Sequence, residues 1–369
     1  MTGISVLPRS NRTPGKPSQG MVAPPCMLIE FLIPAYMRKD GAATAARSII
    51  KQANGLPVGS IGVWIQDDCS LNISDSYYQE LLSELQSPSS VVVTITRNAS
   101  NMGMSKNILD MAEKTRAQYW AVLTDDDYLE EGSLVPLLNV VGAASVIECP
   151  LLFTPRYSYL ESGELHCVEC APFPEYPSVI PSGALSALRY CRNGFILTGM
   201  IISSNCDFSA WKIFSDNAFF PVINFGAALI SSPCLVVDRP WFHHTVLNSV
   251  YWQSWGGSRF AQDMRLLADY LKAQDVVLNL ALRASVLSDK ALRLWVEYFK
   301  IRYAYLVHAR NLVGFRAALS LGFDPDLSYV QLLSLLAACQ IVDSSRRLRA
   351  RALRIFFAFI TLLNPRRST

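Results

Sequence analysis

Long apolar runs, charged residues and disulfide-type cysteine spacing are all scarce in this sequence. No stretch of about 18 or more uninterrupted apolar residues occurs, although the mean hydropathy is positive at +0.22. We therefore predict that the chain does not span a bilayer but can still lie on one. Only 17% of the 369 residues are charged, whereas 51% are hydrophobic. This composition excludes a disordered tail protein, a collagen-like fibre and a small disulfide scaffold.

The net charge and the cysteine spacing indicate which partners and which redox compartment to expect. The formal net charge is only +3, and without a basic stripe we expect no nucleic-acid partner. The nine cysteines show no framework spacing, and no charged-then-apolar signal peptide is recognisable. We therefore expect a reducing, cytoplasmic compartment.

The sequence divides into three parts by composition. Residues 1–26 are rich in proline and lack periodicity, which predicts a disordered leader. Residues 27–245 alternate short apolar runs with helix-length segments. Residues 246–369 have mostly helical periodicity, and helices are predicted at Asp263–Arg283, Lys290–Arg310, Tyr329–Ile341 and Ser344–Leu363.

The middle part predicts an α/β fold with a mainly parallel sheet and helices on both faces, because helix-length segments separate its strands. Its first strands are predicted at Met27–Ile33, Ile61–Gln66, Val91–Ile95 and Tyr119–Thr124, with helices at Gly41–Gln52, Asp75–Gln86 and Met104–Lys114. Beyond them, strands are predicted at Ser145–Phe153, Phe195–Ser203 and Cys234–Val237, and a helix at Phe220–Ser231.

Polar and acidic residues follow the carboxyl end of each early strand, where open parallel sheets bind ligands. Three consecutive carboxylates, Asp125 to Asp127, repel one another unless a cation neutralises them. Oxygen ligands of this kind suit Mg²⁺ or Mn²⁺, which usually complete their coordination with phosphate oxygens. A nucleotide diphosphate is the natural co-ligand. The alternative is a solvated acidic turn, extended by Glu130 and Glu131.

Four motifs occur in one order and spacing. They are Ile33-Pro34-Ala35-Tyr36, Trp64 through Ser70, Asn98 through Asn107, and Leu123 through Leu129. In this order they resemble the GT-A glycosyltransferases of family 2, and the resemblance extends from about Met27 to His244. The stretch from Asp125 to Leu134 is most similar to the abequosyltransferase-like branch, which adds sugars to bacterial O-antigen or capsule repeat units.

The resemblance implies a nucleotide-binding half at residues 27–143 and an acceptor half at residues 144–245. It implies metal binding by Asp127 and Asp125, in an Asp-x-Asp pattern. The residues implied to hold the nucleotide and its sugar are Pro34, Ala35, Tyr36, Asp67, Asp68, Asn98, Gly103, Asn107, Asp125, Asp126 and His244.

A catalytic base is the missing part of the pattern. The family usually has an acidic pair where this chain has Phe219, Phe220 and Pro221. Asp216 lies just upstream and is the first candidate for the base, with Asp207 second. Either could instead be an ordinary surface carboxylate at a helix start, and the base could be absent altogether.

Three further patterns have competing interpretations. The segment His166 to Cys170 has the spacing of a partial zinc site, but a second matching cysteine pair is missing. Trp252 and Trp255 form either a sugar platform or ordinary packing. The helix predicted at Ser344–Leu363 has an apolar stripe flanked by arginines, which suits an anionic membrane surface or the protein's own core.

Together these features predict a metal-dependent, inverting glycosyltransferase that uses a nucleoside-diphosphate sugar and Mn²⁺ or Mg²⁺. The resemblance implies a saccharide acceptor on a polyprenyl-diphosphate carrier, in surface polysaccharide biosynthesis, and therefore a peripheral position on the inner face of the cytoplasmic membrane. Two alternatives stay open: a sugar-phosphate nucleotidyltransferase, and a non-catalytic, membrane-bound assembly subunit with the same fold.

Overall fold

The computed structural model describes residues 27–86, 90–160, 162–169, 179–191, 197–207, 209–217, 220–237, 239–246, 263–274 and 298. The predicted leader, Phe219, Trp252, Trp255 and the last two predicted helices lie outside these residues. Of the helices predicted at Asp263–Arg283 and Lys290–Arg310, only residues 263–274 and Tyr298 are described, and these are helical.

The first four strands predicted from the sequence lie side by side in the large sheet. They stand in the order β3-β2-β1-β4 and pair in parallel. Their bounds are Ile29–Ala35 for β1, Ile61–Asp67 for β2, Val91–Arg97 for β3 and Tyr119–Val122 for β4. Strands β1, β2 and β4 are buried along their whole length, as expected for strands covered on both faces. The predicted fold class is therefore confirmed.

The connecting helices follow the predicted segments closely. They are α1 at Lys39–Ile50, α2 at Asp75–Leu85 and α3 at Met104–Lys114. Apolar residues at helical spacing, such as Ala42, Ala46 and Ile49 of α1, face the sheet and are almost fully buried. Helices α1 and α2 pack on one face, and α3 packs on the other.

Beyond β4 the prediction is less accurate. The strand expected at Ser145–Phe153 is wrong in its first half, because helix α4 extends over Leu134–Val146 and strand β6 covers only Leu151–Phe153. Strand β10, at Met200–Ser203, is also shorter than expected. It lies antiparallel between β4 and β6, and Cys234–Val236 (β11) and Val179–Ile180 (β9) complete an eight-stranded sheet.

A second, four-stranded sheet was not expected from the sequence. Its strands are Tyr128–Leu129 (β5), Arg156–Leu160 (β7), Leu165–Glu169 (β8) and Phe242–Val246 (β12). They stand in the order β5-β12-β7-β8. Strand β12 pairs with β5, which directly follows Asp125 to Asp127. The second sheet therefore places Phe242–Val246 next to these three aspartates, which we call the acidic turn.

The remaining helices cover the α3 face of the large sheet. They are Ala184–Tyr190 (α5), Ser209–Ile213 (α6), Phe220–Ser231 (α7) and residues 263–274 (α8). Met264, Leu267, Ala268 and Leu271 form one stripe on α8 and are fully buried in this core. Within the described ranges, no helix combines the length and the apolar character needed to cross a membrane.

Candidate active site

The carboxyl ends of the parallel strands meet at one edge, and hydrogen bonds join the loops that leave them. The amide of Asp68 donates to the carbonyl of Ala35 at 2.8 Å, and the amide of Asn98 donates to the carbonyl of Asp67 at 2.8 Å. Helix α1 approaches the acidic turn at Gly41, where a Cβ atom would collide with the Asp125 carbonyl oxygen. The lack of a side chain at Gly41 therefore allows the helix and the turn to touch.

The three aspartates lie in a hydrogen-bonded turn and not in extended backbone. The amide of Asp127 donates to the carbonyl of Thr124 at 3.0 Å. The turn directs the side chains of Asp125 and Asp126 together toward one partner. Arg38 Nη1 lies 2.7 Å from Asp126 Oδ2 and 3.4 Å from Asp125 Oδ1.

Asp125 has the more enclosed carboxylate of this pair. Its side chain is 13% exposed, against 23% for Asp126. Burial raises the pKa of Asp125 to about 7, with Arg38 opposing the shift and Asp126 adding to it. Asp125 Oδ2 also accepts a long hydrogen bond, 3.4 Å, from the amide of Tyr36.

Asp127 is fully buried and is surrounded by donors from the protein. Its carboxylate accepts hydrogen bonds from Thr124 Oγ1 at 2.8 Å, from the Thr245 amide at 2.9 Å and from Thr198 Oγ1, and His244 Nδ1 lies 3.2 Å from Oδ1. Although burial raises the pKa of Asp127, the contacts with His244, Thr198 and Thr245 together lower it below its ordinary value. The residue expected to hold the metal thus joins β12 and the segment before β10 to the acidic turn.

Asp67 and Asp68 are also buried and are held by protein groups. Asp67 accepts from the amide of Ser70 at 3.0 Å and pairs with Arg97 Nε at 3.1 Å. Asp68 accepts from the amides of Met102 and Gly103, each at 2.8 Å. Both carboxylates therefore stabilise the loops that follow β2 and β3 through these contacts.

Asn98 and Asn107 belong to a polar network beneath the same loop. Asn98 Nδ2 donates to Asp68 Oδ1 at 2.9 Å and to Asn107 Oδ1 at 2.8 Å, and Asn107 Nδ2 donates to the carbonyl of Gln66 at 3.1 Å. Gly103 precedes α3 with a φ of 84°, a value that favours glycine. Pro34 and Ala35 are buried in β1, whereas Tyr36 is 45% exposed at the edge.

The two candidates for the base lie outside this network. Asp216 is largely exposed, and its Oδ1 lies 2.7 Å from Nζ of Lys106, in the first turn of α3. It therefore lies beside the loop that contains Gly103. Asp207 is exposed and accepts from the Ser209 amide and hydroxyl at 2.8 and 2.9 Å, so its carboxylate caps the start of α6.

Sequence reasoning missed Arg38, Thr198 and Thr245 as parts of this site. Arg38 had a usable signal, since it is a basic residue just after the first strand. The two threonines had none, because their distance from the aspartates along the chain is large: 71 residues separate Thr198 from Asp127, and 118 separate Thr245.

The suggested zinc ligands, His166 to Cys170, lie only partly within the described residues. Among the residues that the structure describes, no group of three or more His, Cys, Asp or Glu side chains is placed to hold a metal ion. The suggested zinc segment ends at Cys170, outside them.

Comparison with known proteins gives the class of this chain. A sequence model of the family described as Glycosyl transferase family 2 matches residues 30–158. S. aureus TarS 1–349, solved in complex with UDP-GlcNAc, is 13% identical with a TM-score of 0.52, and the alignment covers 91% of this chain and 92% of that one. A longer S. aureus TarS structure is 15% identical with a TM-score of 0.50, and the alignment covers 88% of this chain but only 50% of that one. No curated protein matches the sequence.

Residues 30–158 are therefore a Glycosyl transferase family 2 domain, and the chain has the GT-A fold. The predicted class of enzyme, a glycosyltransferase, is confirmed.

Proposed function

We propose that this chain is a metal-dependent, inverting glycosyltransferase that moves a sugar from a nucleoside-diphosphate sugar to a saccharide acceptor. The observation that carries the proposal is the pair of carboxylates, Asp125 and Asp126, which face a common partner at the carboxyl edge of the parallel sheet. This edge is where open α/β sheets bind nucleotides.

The donor set at this edge fits a divalent cation. Two carboxylates lie close enough to share one cation, since the guanidinium of Arg38 already contacts both. Carboxylate oxygens are the ligands that Mg²⁺ and Mn²⁺ prefer. Asp125 and Asp126 would hold the ion, because the carboxylate of Asp127 is buried and saturated by protein donors. The ion would stabilise negative charge on the departing diphosphate.

The surrounding residues then have distinct tasks. Tyr36 is exposed beside Asp125 and would contact the base, next to the buried Pro34 and Ala35. His244 is 20% exposed and would face the donor from β12. Asp67, Asp68, Asn98, Gly103 and Asn107 would act by holding the loops that line the site.

Binding of the donor is tested by a thermal-shift panel of nucleoside diphosphates with and without Mn²⁺. A ligand that binds only the folded state raises the apparent stability by mass action, by about 2.7 kcal/mol at 100 times its Kd. We expect one nucleoside diphosphate to raise Tm more with Mn²⁺ than without it. A panel in which no nucleotide changes Tm would contradict the proposal.

Asp216 is our proposed base for the acceptor hydroxyl, because it is exposed beside the Gly103 loop. We expect Asp216→Asn to lower kcat for transfer by about 10² or more with little change in donor KM, as for loss of a general base. Asp207→Asn is the matched control, and we expect it to keep kcat. Equal kcat values for Asp216→Asn and wild type would remove Asp216 from the mechanism.

The resemblance to surface-polysaccharide enzymes supports an acceptor on a polyprenyl-diphosphate carrier, and with it a position at the inner face of the cytoplasmic membrane. The arginine-flanked helix predicted at Ser344–Leu363 is the proposed contact with anionic lipids. We expect the full chain to cosediment with anionic liposomes in low salt, and a chain truncated after Asp343 to stay in the supernatant. Equal cosedimentation of both would exclude this helix as the anchor.

A further inference from the structure

Arg38 is the cationic partner of the acidic turn. Its Nη1 atom lies 2.7 Å from Asp126 Oδ2 and 3.4 Å from Asp125 Oδ1, although 88 and 87 residues separate Arg38 from them along the chain. A guanidinium donates hydrogen bonds at fixed angles and stays charged at any pH that the fold survives. One side chain thus neutralises part of the charge of two carboxylates.

The backbone around Arg38 is held in place by contacts with the same edge. The Met37 amide donates to Ser70 Oγ at 2.7 Å, and Met37 has a φ of 62°. Arg38 is the N-cap residue of α1, and the contact at Gly41 presses that helix against the Asp125 carbonyl. The base of the side chain is therefore fixed, while 41% of the side chain is exposed.

The oxygens that Arg38 contacts belong to the carboxylates proposed above to hold a divalent ion. A carboxylate oxygen that accepts a hydrogen bond from a guanidinium at 2.7 Å has no room on that side for an ion at 2.0 to 2.6 Å. The two cations also repel each other. The long, partly exposed side chain of Arg38 can swing toward solvent and leave the pair open.

From this geometry we infer that Arg38 is a positioning residue that competes with the divalent cation for Asp125 and Asp126. Without metal, its guanidinium holds the two carboxylates in place and limits their repulsion. When the metal binds, the guanidinium leaves these oxygens and is free to meet an anionic group of the donor. This inference rests on the proposed function only through the metal.

Direct Mn²⁺ binding tests the competition without nucleotide and without turnover. The full chain is titrated with Mn²⁺, and the free ion is measured by electron paramagnetic resonance for wild type, Arg38→Met, Arg38→Lys and Lys39→Met. Lys39→Met is the matched control. It removes one positive charge at the next residue, where Nζ lies 4.2 Å from the ring centre of Tyr77 and not on the aspartates. Far-ultraviolet circular dichroism confirms that each variant is folded.

We expect Arg38→Met to bind Mn²⁺ at least about tenfold more tightly than wild type, because it removes both the competing hydrogen bonds and the nearby charge. Lys39→Met should stay within about twofold of wild type, and Arg38→Lys should lie between wild type and Arg38→Met. A folded Arg38→Met that binds Mn²⁺ no more tightly than wild type, or an equal gain in Lys39→Met, overturns the inference. If Arg38→Met binds Mn²⁺ no more tightly but the wild type turns over donor, this inference fails and the proposed function stands. If Arg38→Met binds Mn²⁺ more tightly but no nucleotide sugar binds, the proposed function fails and this inference stands.

Discussion

Asp127→Ala is expected to destabilise the fold by about 3 to 5 kcal/mol, the range for breaking a buried, hydrogen-bonded charged group. The carboxylate is inaccessible to solvent and accepts from Thr124 Oγ1, Thr198 Oγ1 and the Thr245 amide, with His244 as a further partner. Removing it leaves these donors buried without an acceptor. Urea denaturation, read as the midpoint and slope of the transition, measures the loss.

The neighbouring carboxylate provides the control for this stability prediction. Asp126 is 23% exposed, and its carboxylate accepts a hydrogen bond from Arg38 Nη1 at 2.7 Å. Asp126→Ala should cost less than about 1 kcal/mol, as for a partly exposed ion pair. Equal losses in the two variants would show that Asp127 is not the structural centre of the turn.

Unlike Asp127→Ala, Asp126→Asn is expected to impair catalysis more than stability. We expect little loss of stability and a fall in kcat/KM for donor of about 10² to 10³ with Mn²⁺ present. The substitution keeps the shape of the side chain but removes the charge that would hold the metal at the leaving diphosphate. Turnover is measured as release of nucleoside diphosphate over a range of donor concentrations.

Glu131→Gln is the matched control for Asp126→Asn. It neutralises a carboxylate of the next turn, where Glu131 is exposed and lines a cavity of about 360 Å³ together with Tyr157, Arg239 and Trp241. Its kcat/KM should stay within about twofold of wild type. Near-normal turnover in Asp126→Asn would mean that Asp126 does not hold the metal.

The first half of the fold could be predicted because its signals are local. Buried strands such as Ile29–Ala35 and amphipathic helices such as Lys39–Ile50 show their periodicity within a dozen residues. Helix α4 gave no such signal, because Leu134–Val146 is apolar on most sides and its end resembles a strand. The helix ends at Val146, and Glu148, two residues later, has a φ of 53°.

The second sheet could not be predicted because its strands are short and pair with distant partners. Strand β5 has two residues, too few for a periodic pattern, and it pairs with β12 more than a hundred residues later along the chain. Its stability depends on tertiary packing and not on local propensity.

The edge of the site could be predicted, but the division of tasks among its aspartates could not. Strand order alone brings Asp67, Asp68 and the acidic turn to one side. Which carboxylates become buried depends on donors from elsewhere, such as the Gly103 amide for Asp68 and the Thr245 amide for Asp127. These contacts form only once the chain is folded, so the pattern of three aspartates does not distinguish a structural carboxylate from a metal ligand.

Release of nucleoside diphosphate from a nucleotide sugar, with no acceptor present, tests the central claim most directly. We predict slow hydrolysis by the full chain with Mn²⁺ or Mg²⁺, loss of this activity with a chelator, and loss in Asp126→Asn under conditions where the variant remains folded. Hydrolysis that is unchanged by the chelator and by Asp126→Asn would contradict the proposed site, and no release from any nucleotide sugar that binds would contradict catalysis at it.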